Sequence, residues 1–205
     1  MKQQIILAGL AWIILSAACT KVHEEPTNGD LPKEDPTEEV VAPGGFQTYT
    51  IPAGEHYSLE NGVKPVTGTG MAFEVIFDSS CIYRTRDPRN QDDINKLMGF
   101  SDNGAHQTNS ARFGWRWKED AIELLAYVYN DGTMRYRLLA ALKIGEPADL
   151  KLSIRTGYYE FSVNGETTLM PRTPTGSSIN GYMLYPYFGG DETAPHTVKV
   201  AIKMK

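Results

Sequence analysis

Arginine and aromatic residues alternate in several short stretches of the sequence, a pattern that can build a binding surface for a charged ligand. In ARFGWRW (residues 111–117) the three aromatic side chains share one parity, whereas Arg112 and Arg116 share the other. Successive side chains of a strand point to opposite faces. Burying apolar surface is favourable, while burying an unpaired charge is costly. We therefore expect the aromatic residues in the core and the two arginines outside, with Gly114 leaving a flat spot where a ligand approaches the backbone.

The same parity argument, applied to neighbouring stretches, yields a set of outward-facing arginines and tyrosines. Sugar rings have apolar C–H faces that pack on aromatic rings, and their carboxylate or sulfate groups suit the planar fork of arginine. A surface of this composition favours a polysaccharide with acidic groups as the ligand. The alternative is that the tyrosines only cover strand surfaces and the arginines pair with nearby carboxylates. The predicted ligand-binding residues are Arg112, Arg116, Tyr127, Tyr129, Arg135, Arg137 and Tyr187.

A long polar loop, residues 99–112, and the stretch YMLYPYF contribute candidate proton-transfer groups. His106 lies in the loop, and Tyr185 shares the parity of Tyr187. A polysaccharide lyase removes the proton alpha to a uronate carboxylate, which requires a base such as His or Tyr and an Arg, Asn or Gln that neutralises the carboxylate. If the protein is a lyase, we expect His106 and Tyr185 to be its catalytic residues. The alternative for His106 is an exposed loop histidine.

The stretch YFGGDETAPH (residues 187–196) contains two adjacent carboxylates, Asp191 and Glu192. Carboxylate oxygens combined with loop carbonyls are ligands that Ca²⁺ prefers, so these two residues form a candidate calcium site. The Asp-x-Asp-x-Asp spacing of a dedicated calcium loop is missing. The alternative is a tight turn with exposed acids before the last strand.

The elements that must position these residues are β-strands. From Phe46 onward, short stretches rich in β-branched and aromatic residues show period-two alternation and end at turn residues. YNDGT (129–133) and VNGE (163–166) are typical of tight hairpin turns. Only DDINKLMG (92–99) fits a short helical turn. Regularly spaced short strands with such turns predict an all-β domain over residues 46–205, built as an antiparallel sandwich or barrel.

This arrangement resembles the concanavalin A-like lectin and glucanase jelly rolls. The resemblance covers residues 46–205 and depends on the strand rhythm, on the closing strand HTVKVAIKM, and on NSARFGWRW and YPYFGGDETAPH, which look like stretches of uncharacterised members of that class. It implies an antiparallel β-sandwich in which one concave sheet forms a groove. Two motifs of relatives with this fold are absent, namely the Glu-x-Asp-x-Glu run of the glucanases and the Gln-Ile-His triplet of alginate-lyase jelly rolls.

These absences bear on whether the protein is an enzyme. A retaining glycoside hydrolase needs two carboxylates about 5 Å apart, and no strand of this sequence supplies such a pair in a polar setting. We therefore expect a jelly-roll domain that binds carbohydrate without catalysis. A polysaccharide lyase acting on a uronate-containing glycan is the alternative, and a protein-interaction or structural subunit is a second alternative.

The N-terminus predicts export. MKQQ is a short basic start, residues 5–15 form an apolar run shorter than the roughly 20 residues of a membrane-spanning helix, and SAAC ends at Cys19. The cysteine after small residues resembles a bacterial lipobox, although Ser16 stands where a leucine is usual. The resemblance implies a signal peptide at residues 1–18 and a Cys19 that carries acyl chains in the outer membrane. The alternative is a plain secretory cleavage after Ala18.

Residues 19–45 are predicted to be a disordered tether, because residues 20–45 carry seven acidic residues, four prolines and no aromatic residue. The acidic stretch resembles surface-export signals of Bacteroidota lipoproteins, which implies display at the cell surface; an ordinary solubilising spacer is the alternative. The remaining residues, 46–205, are close to neutral, with 18 acidic and 17 basic residues. This balance argues against a nucleic-acid partner. The expected partners are a polysaccharide or oligosaccharide and, through the lipid anchor alone, a membrane.

Overall fold

The computed structural model describes residues 44–205, which form twelve β-strands and two short 3₁₀ turns. The turns are Ser79–Cys81 and Pro88–Asp92. The strands are β1 Gln47–Ile51, β2 Pro65–Gly68, β3 Gly70–Phe77, β4 Asn95–Ser101, β5 Ser110–Lys118, β6 Ala121–Asn130, β7 Thr133–Leu142, β8 Ala148–Arg155, β9 Tyr158–Val163, β10 Glu166–Pro171, β11 Ile179–Leu184 and β12 Val198–Met204.

The strands pair into two antiparallel sheets of six strands each. The first sheet has the order β1-β12-β3-β8-β9-β10, and the second has the order β2-β11-β4-β5-β6-β7. Both sheets bury one face against the other, as strands with one apolar side require. The chain crosses between the sheets several times, for example from β3 to β4 and from β7 to β8. The architecture is a jelly-roll β-sandwich, so the predicted fold class is confirmed.

Aromatic side chains from both sheets form the centre of the core. Phe113 on β5 packs edge-on against Phe73 and Phe161 of the first sheet, with ring centroids 5.7 Å and 5.1 Å apart. Trp115 packs against Phe77 at 5.3 Å. Burying each side chain of this size contributes about 1.5–3 kcal/mol to the free energy of unfolding. The aromatic side of ARFGWRW therefore faces the core, as predicted.

Both predicted hairpin turns are present. Asp131 and Gly132 connect β6 to β7, and Asn164 and Gly165 connect β9 to β10, all four with positive φ angles between 48° and 92°. A two-residue turn of this kind matches the twist of the strands it joins. It also fixes the register of the hairpin, so Asn130 pairs with Thr133 in the first of them.

The stretch DDINKLMG is not helical, which corrects the prediction. A 3₁₀ turn ends at Asp92, and β4 begins at Asn95. The pairing of β4 with β5 shifts between Lys96 and Gly99, and the two residues inside this bulge, Leu97 and Met98, are both buried in the core. Because a bulge breaks period-two alternation, the strand could not be recognised from its pattern. The short strands β2 and β10 were also not predicted.

One buried ion pair joins the two sheets. Arg172 follows β10 in the first sheet, Asp102 follows β4 in the second, and the Arg172 Nε donates to Asp102 Oδ2 at 2.6 Å. The Tyr159 hydroxyl donates to the same oxygen at 3.0 Å. A carboxylate with three donors, two of them from one guanidinium, is well satisfied despite its burial.

The predictions for the signal peptide, for Cys19 and for the tether up to residue 43 lie outside the described residues. Within residues 44–205, no helix is long and apolar enough to span a membrane.

Candidate functional site

The face of the second sheet that points away from the first sheet, here called the outer face, brings together residues from β4 to β7. Strand pairing places Arg112 beside Tyr127 and Tyr127 beside Tyr136. It also places Gly114 of β5 beside Lys96 of β4. Directly paired residues point to the same side of a sheet, so these side chains share the outer face.

Arg112 is the most enclosed charge on the outer face, with 9% of the residue exposed. Its guanidinium carbon lies 5.4 Å from the centre of the Tyr127 ring, and Tyr129, Tyr182 and Tyr187 are near enough to act on its charge. The ion pairs found within residues 44–205 do not include Arg112. In the same range, its Nε is one of two buried side-chain polar atoms without a hydrogen-bond partner; the other is Trp115 Nε1, which lies in the core.

Burial lowers the pKa of the Arg112 guanidinium from its usual value. A guanidinium nevertheless remains charged at any pH at which the protein is folded. The side chain is therefore a buried positive charge that is held by aromatic faces rather than by a carboxylate.

Lys96 places a second positive charge beside Arg112. Its Nζ lies 5.1 Å from the centre of the Tyr127 ring and 5.7 Å from that of Tyr187, and it donates to the carbonyl oxygen of Ile94 at 2.6 Å. Burial, together with the repulsion of Arg112, lowers the pKa of Lys96 to about 8. Lys96 also lines an open cavity of about 260 Å³ that extends along the outer face to Tyr136.

His106 reaches the outer face from the loop between β4 and β5. Its Nδ1 lies 2.8 Å from the hydroxyl oxygen of Tyr182 on β11. Burial, and secondly the charge of Arg112, lower the pKa of His106, so the imidazole is neutral at neutral pH. The structure thus places His106 near Arg112 and pairs it with a tyrosine that the sequence analysis did not single out.

Tyr187 lies on the outer face, but Tyr185 does not. Strand β11 ends at Leu184, and beyond it Tyr187 forms an isolated bridge with Lys96 and another with Tyr57. The Tyr185 ring instead packs against the core cluster, with its centroid 6.2 Å from that of Tyr49. The prediction that Tyr185 and Tyr187 share a face is wrong, because the chain leaves the strand between them. Tyr185 is therefore not placed to act with His106.

Arg116 has partners within the protein. Its Nε donates to Glu123 Oε2 at 2.6 Å, and its Nη1 donates to the carbonyl oxygen of Asp92 at 2.8 Å. Arg116 therefore pairs with a nearby carboxylate, which is the alternative that the sequence left open for the arginines. The flat spot predicted at Gly114 is also filled, since a Cβ there would lie 2.6 Å from the Ile94 side chain.

Arg135 and Arg137 lie on the opposite side of the sheet, which corrects the prediction that they line the same groove. They pair with Val128 and Ala126, whose side chains face the core. Both arginines remain exposed because β7 is the edge strand of its sheet. The two-residue turn before β7 fixes this register, so counting outward from the turn identifies Met134, Tyr136 and Leu138 as the outer-face residues.

The carboxylate of Glu192 is engaged by a neighbouring loop. It accepts hydrogen bonds from the backbone N–H groups of Arg86 and Asp87, both at 2.8 Å, and from Asn90 Nδ2 at 2.9 Å. Across the part of the chain that the structure describes, no three His, Cys, Asp or Glu side chains lie close enough together to hold a metal ion. The hydrogen bonds of Glu192 favour the alternative, a turn with acidic residues before the last strand, over a calcium site at Asp191 and Glu192.

Searches against known proteins add information about the fold. No protein-family model and no curated protein matches the sequence at a significant level. Among solved structures, alginate lyase AlyC3 superposes with a TM-score of 0.57 at 10% identity, covering 78% of this chain and 74% of the lyase. The fold is a jelly roll shared with carbohydrate-active proteins. A second solved structure is a GH16 protein from the Bacteroides ovatus mixed linkage glucan PUL in complex with a G4G4G3G product. It superposes with a TM-score of 0.50 at 8% identity, and the match covers 78% of this chain and 81% of the GH16 protein.

Proposed function

We propose that the outer face binds a polysaccharide that carries acidic groups, and that it does so without catalysis. The observation that carries this proposal is Arg112, a buried positive charge that no carboxylate within residues 44–205 neutralises. Native proteins rarely leave a buried donor unsatisfied. A guanidinium on the outer face that has neither a carboxylate partner nor a full set of hydrogen bonds among the described residues is therefore suited to an external anion.

A ligand carboxylate or sulfate would satisfy this site. It would be attracted by the guanidinium charge of Arg112 and by the positive charge of Lys96 on the same face. A hydrogen bond to a charged group contributes about 1.5–3 kcal/mol. The apolar faces of the sugar rings would pack on the exposed Tyr136 and the partly exposed Tyr187 of the same face.

Screening the full chain on an array of acidic and neutral polysaccharides would test this proposal. The wild-type protein is expected to be retained by at least one acidic glycan. Arg112→Met is expected to lose this retention, with an affinity roughly 10- to 100-fold lower. Arg135→Met is the matched control, because Arg135 is exposed on the other side of the sheet. Equal retention of Arg112→Met and wild type would refute the site.

A polysaccharide lyase is the second candidate, and the pairing of His106 with Tyr182 favours it. A neutral imidazole can remove the proton alpha to a uronate carboxylate that Arg112 neutralises. The glycosidic C–O bond then breaks, a C=C bond forms in the uronate ring, and the leaving oxygen takes a proton from an acid such as the Tyr182 hydroxyl. The same array, followed by the ultraviolet absorbance of the unsaturated product, separates the two candidates. A rise that Tyr182→Phe abolishes without loss of retention would replace the binding proposal with the lyase.

We also propose that the protein is an exported lipoprotein that is anchored through Cys19 and displayed at the cell surface. The support is the basic start, the short apolar run and the small residues before Cys19. Metabolic labelling with a fatty acid should label the wild type but not Cys19→Ala. Surface proteolysis of intact cells should release residues 46–205. If the fatty acid labels neither the wild type nor Cys19→Ala, the proposed lipid anchor is contradicted.

A further inference from the structure

The positive charges of the outer face that form no ion pair with the described residues, Lys96 and Arg112, lie at its centre, whereas aromatic residues lie at its two ends. Lys96 and Arg112 provide the central charges, and both contact the Tyr127 ring. Tyr136 on β7 is 53% exposed at one end, and Tyr57 is 64% exposed at the other. The cation–π contacts found within residues 44–205 do not include either of these two terminal tyrosines.

These side chains lie in a row that crosses the strands. The row passes from Tyr136 through Tyr127 to Arg112 by strand pairing, shifts along β5 to Gly114 and reaches Lys96 on β4. The backbone of Lys96 forms an isolated β-bridge with Tyr187, and Tyr187 forms a second one with Tyr57. Neighbouring strands are about 4.8 Å apart, so five such steps span about 24 Å. This length accommodates several sugar rings in line.

The surroundings of the two ends disfavour additional negative charge. At the Tyr136 end, Asp92 and Asp93 line the same cavity of about 260 Å³ as Lys96. Asp92 is paired with Lys118 at 2.7 Å, whereas the charge of Asp93 acts on Lys96, whose pKa it raises against the effect of burial, without a close ion pair. At the other end, Tyr57 is exposed. Its ring packs edge-on against that of Tyr187, with the two ring centroids 5.0 Å apart. The face of an aromatic ring carries negative potential, which repels a carboxylate but attracts the C–H face of a neutral sugar.

Building on the proposed binding function, we propose that the ligand is a heteropolysaccharide in which an acidic sugar is flanked by neutral sugars. The acidic group lies at Arg112 and Lys96, and neutral rings lie on Tyr57 and Tyr136. A polymer with a carboxylate on every unit would place charges over the terminal tyrosines, whose ring faces carry negative potential. The outer face is therefore expected to prefer a ligand in which neutral sugars separate the acidic ones.

Titration calorimetry with three hexasaccharides at one salt concentration tests this inference on the full chain. The probes are an oligomannuronate with a carboxylate on every unit, a hyaluronan fragment in which uronate alternates with a neutral sugar, and neutral cellohexaose. The alternating probe is expected to bind about tenfold more tightly than the homopolymer, and cellohexaose more weakly than both. Tyr57→Ala and Tyr136→Ala should each weaken the alternating probe about fivefold, whereas Leu169→Ala, an exposed apolar control in the first sheet, should not.

The outcomes separate this inference from the proposed function. Tighter binding of the homopolymer would overturn the inference and leave the binding of acidic polysaccharides intact. Equal binding of cellohexaose and the alternating probe would overturn both, because the central cations would then contribute nothing. An alternating probe that binds equally to wild type, Tyr57→Ala and Tyr136→Ala would overturn the placement of neutral rings on the terminal tyrosines.

Discussion

Two buried arginines, in two regions of the molecule, are satisfied in opposite ways. Arg172 lies between the sheets, where Asp102 accepts hydrogen bonds from it and Tyr159 completes the group. Arg112 lies on the outer face of the second sheet, where it packs on the Tyr127 ring and its Nε has no partner within residues 44–205. The first arrangement is complete without any external group. The second leaves a guanidinium without a carboxylate partner among the described residues, and we propose that an external anion takes that place.

The comparison teaches that burial of a charge does not by itself mark a functional site. A buried charge that is matched by a carboxylate links parts of the fold, and removing one partner leaves the other uncompensated. A buried charge that packs on an aromatic ring at the outer side of a sheet, without a carboxylate partner, is instead a candidate for ligand binding. Arg116 lies on the same strand and face as Arg112, yet it belongs with the first kind, since Glu123 pairs with it.

The largest expected effect comes from breaking the pair between the sheets. Asp102→Asn removes the negative charge that Arg172 and Tyr159 share, and we expect the free energy of unfolding to fall by about 3–5 kcal/mol. Urea denaturation measures this change, with Asp120→Asn in the exposed turn before β6 as the control. A loss below about 1 kcal/mol would show that the pair is not the structural link described here.

A smaller effect is expected when the geometry of Arg112 is altered but its charge is kept. Arg112→Lys retains a positive charge but loses the planar fork and the Nε donor. We expect the affinity for the acidic glycan to fall about tenfold, which is 1.4 kcal/mol. The midpoint of urea denaturation should stay close to that of wild type, because no carboxylate within residues 44–205 loses a partner. A loss of stability as large as that of Asp102→Asn would remove the distinction between the two arginines.

The titration of Lys96 predicts opposite pH trends for binding and for stability. Its pKa is about 8 in the folded protein and about 10.4 in an unfolded chain, so the unfolded state binds more protons between these values. The free energy of unfolding should therefore rise with pH in this window. Binding of the acidic glycan should weaken over the same window, because Lys96 loses its charge.

Lys96→Met is the control for this pH dependence. The variant should show neither the added stability nor the loss of binding between about pH 8 and pH 10. Denaturation and titration calorimetry at matched ionic strength measure the two trends. Parallel rather than opposite trends in the wild type would contradict the assignment of Lys96 to the ligand site.

The smallest effect on binding is expected for Arg116. Its ion pair with Glu123 is mostly but not fully buried, with 14% and 18% of the side chains exposed. We expect Arg116→Met to lower the free energy of unfolding by about 1–3 kcal/mol, less than Asp102→Asn, because Glu123 keeps some contact with water, and to leave glycan binding unchanged. A loss of binding comparable to that of Arg112→Met would mean that both arginines contact the ligand, as the sequence analysis first suggested.

Much of the sandwich could be predicted because its signals are local. The alternation in ARFGWRW places Trp115 in the core whichever strands lie beside it, and the turn at Asp131 and Gly132 follows from residues that tolerate positive φ. The strand β4 escaped prediction because its bulge places Leu97 and Met98 both in the core. Lys96 was overlooked for the same reason, since it lies in this strand.

The candidate site could be predicted only in part. Arg112, Tyr127, Tyr129 and Tyr187 do share the outer face, and parity indicated the first three. Arg135 and Arg137 were assigned by the assumption that charged residues face the ligand, although the register across the two-residue turn indicates Tyr136 instead. Tyr182 became visible only through its contact with His106, which comes from a loop 76 residues away in sequence.

The sequence by itself determined which side of most strands is apolar, where the hairpins turn and that the domain is all-β, because these properties depend on residues close together in the chain. The tertiary structure decided which charges are neutralised. Arg112, Arg116 and Arg172 are the same residue type, and their environments differ because strand pairing brings Tyr127 to the first and Glu123 to the second, whereas the packing of the two sheets brings Asp102 to the third. The free energy of a buried charge depends on these distant partners, and composition and spacing contain no record of them.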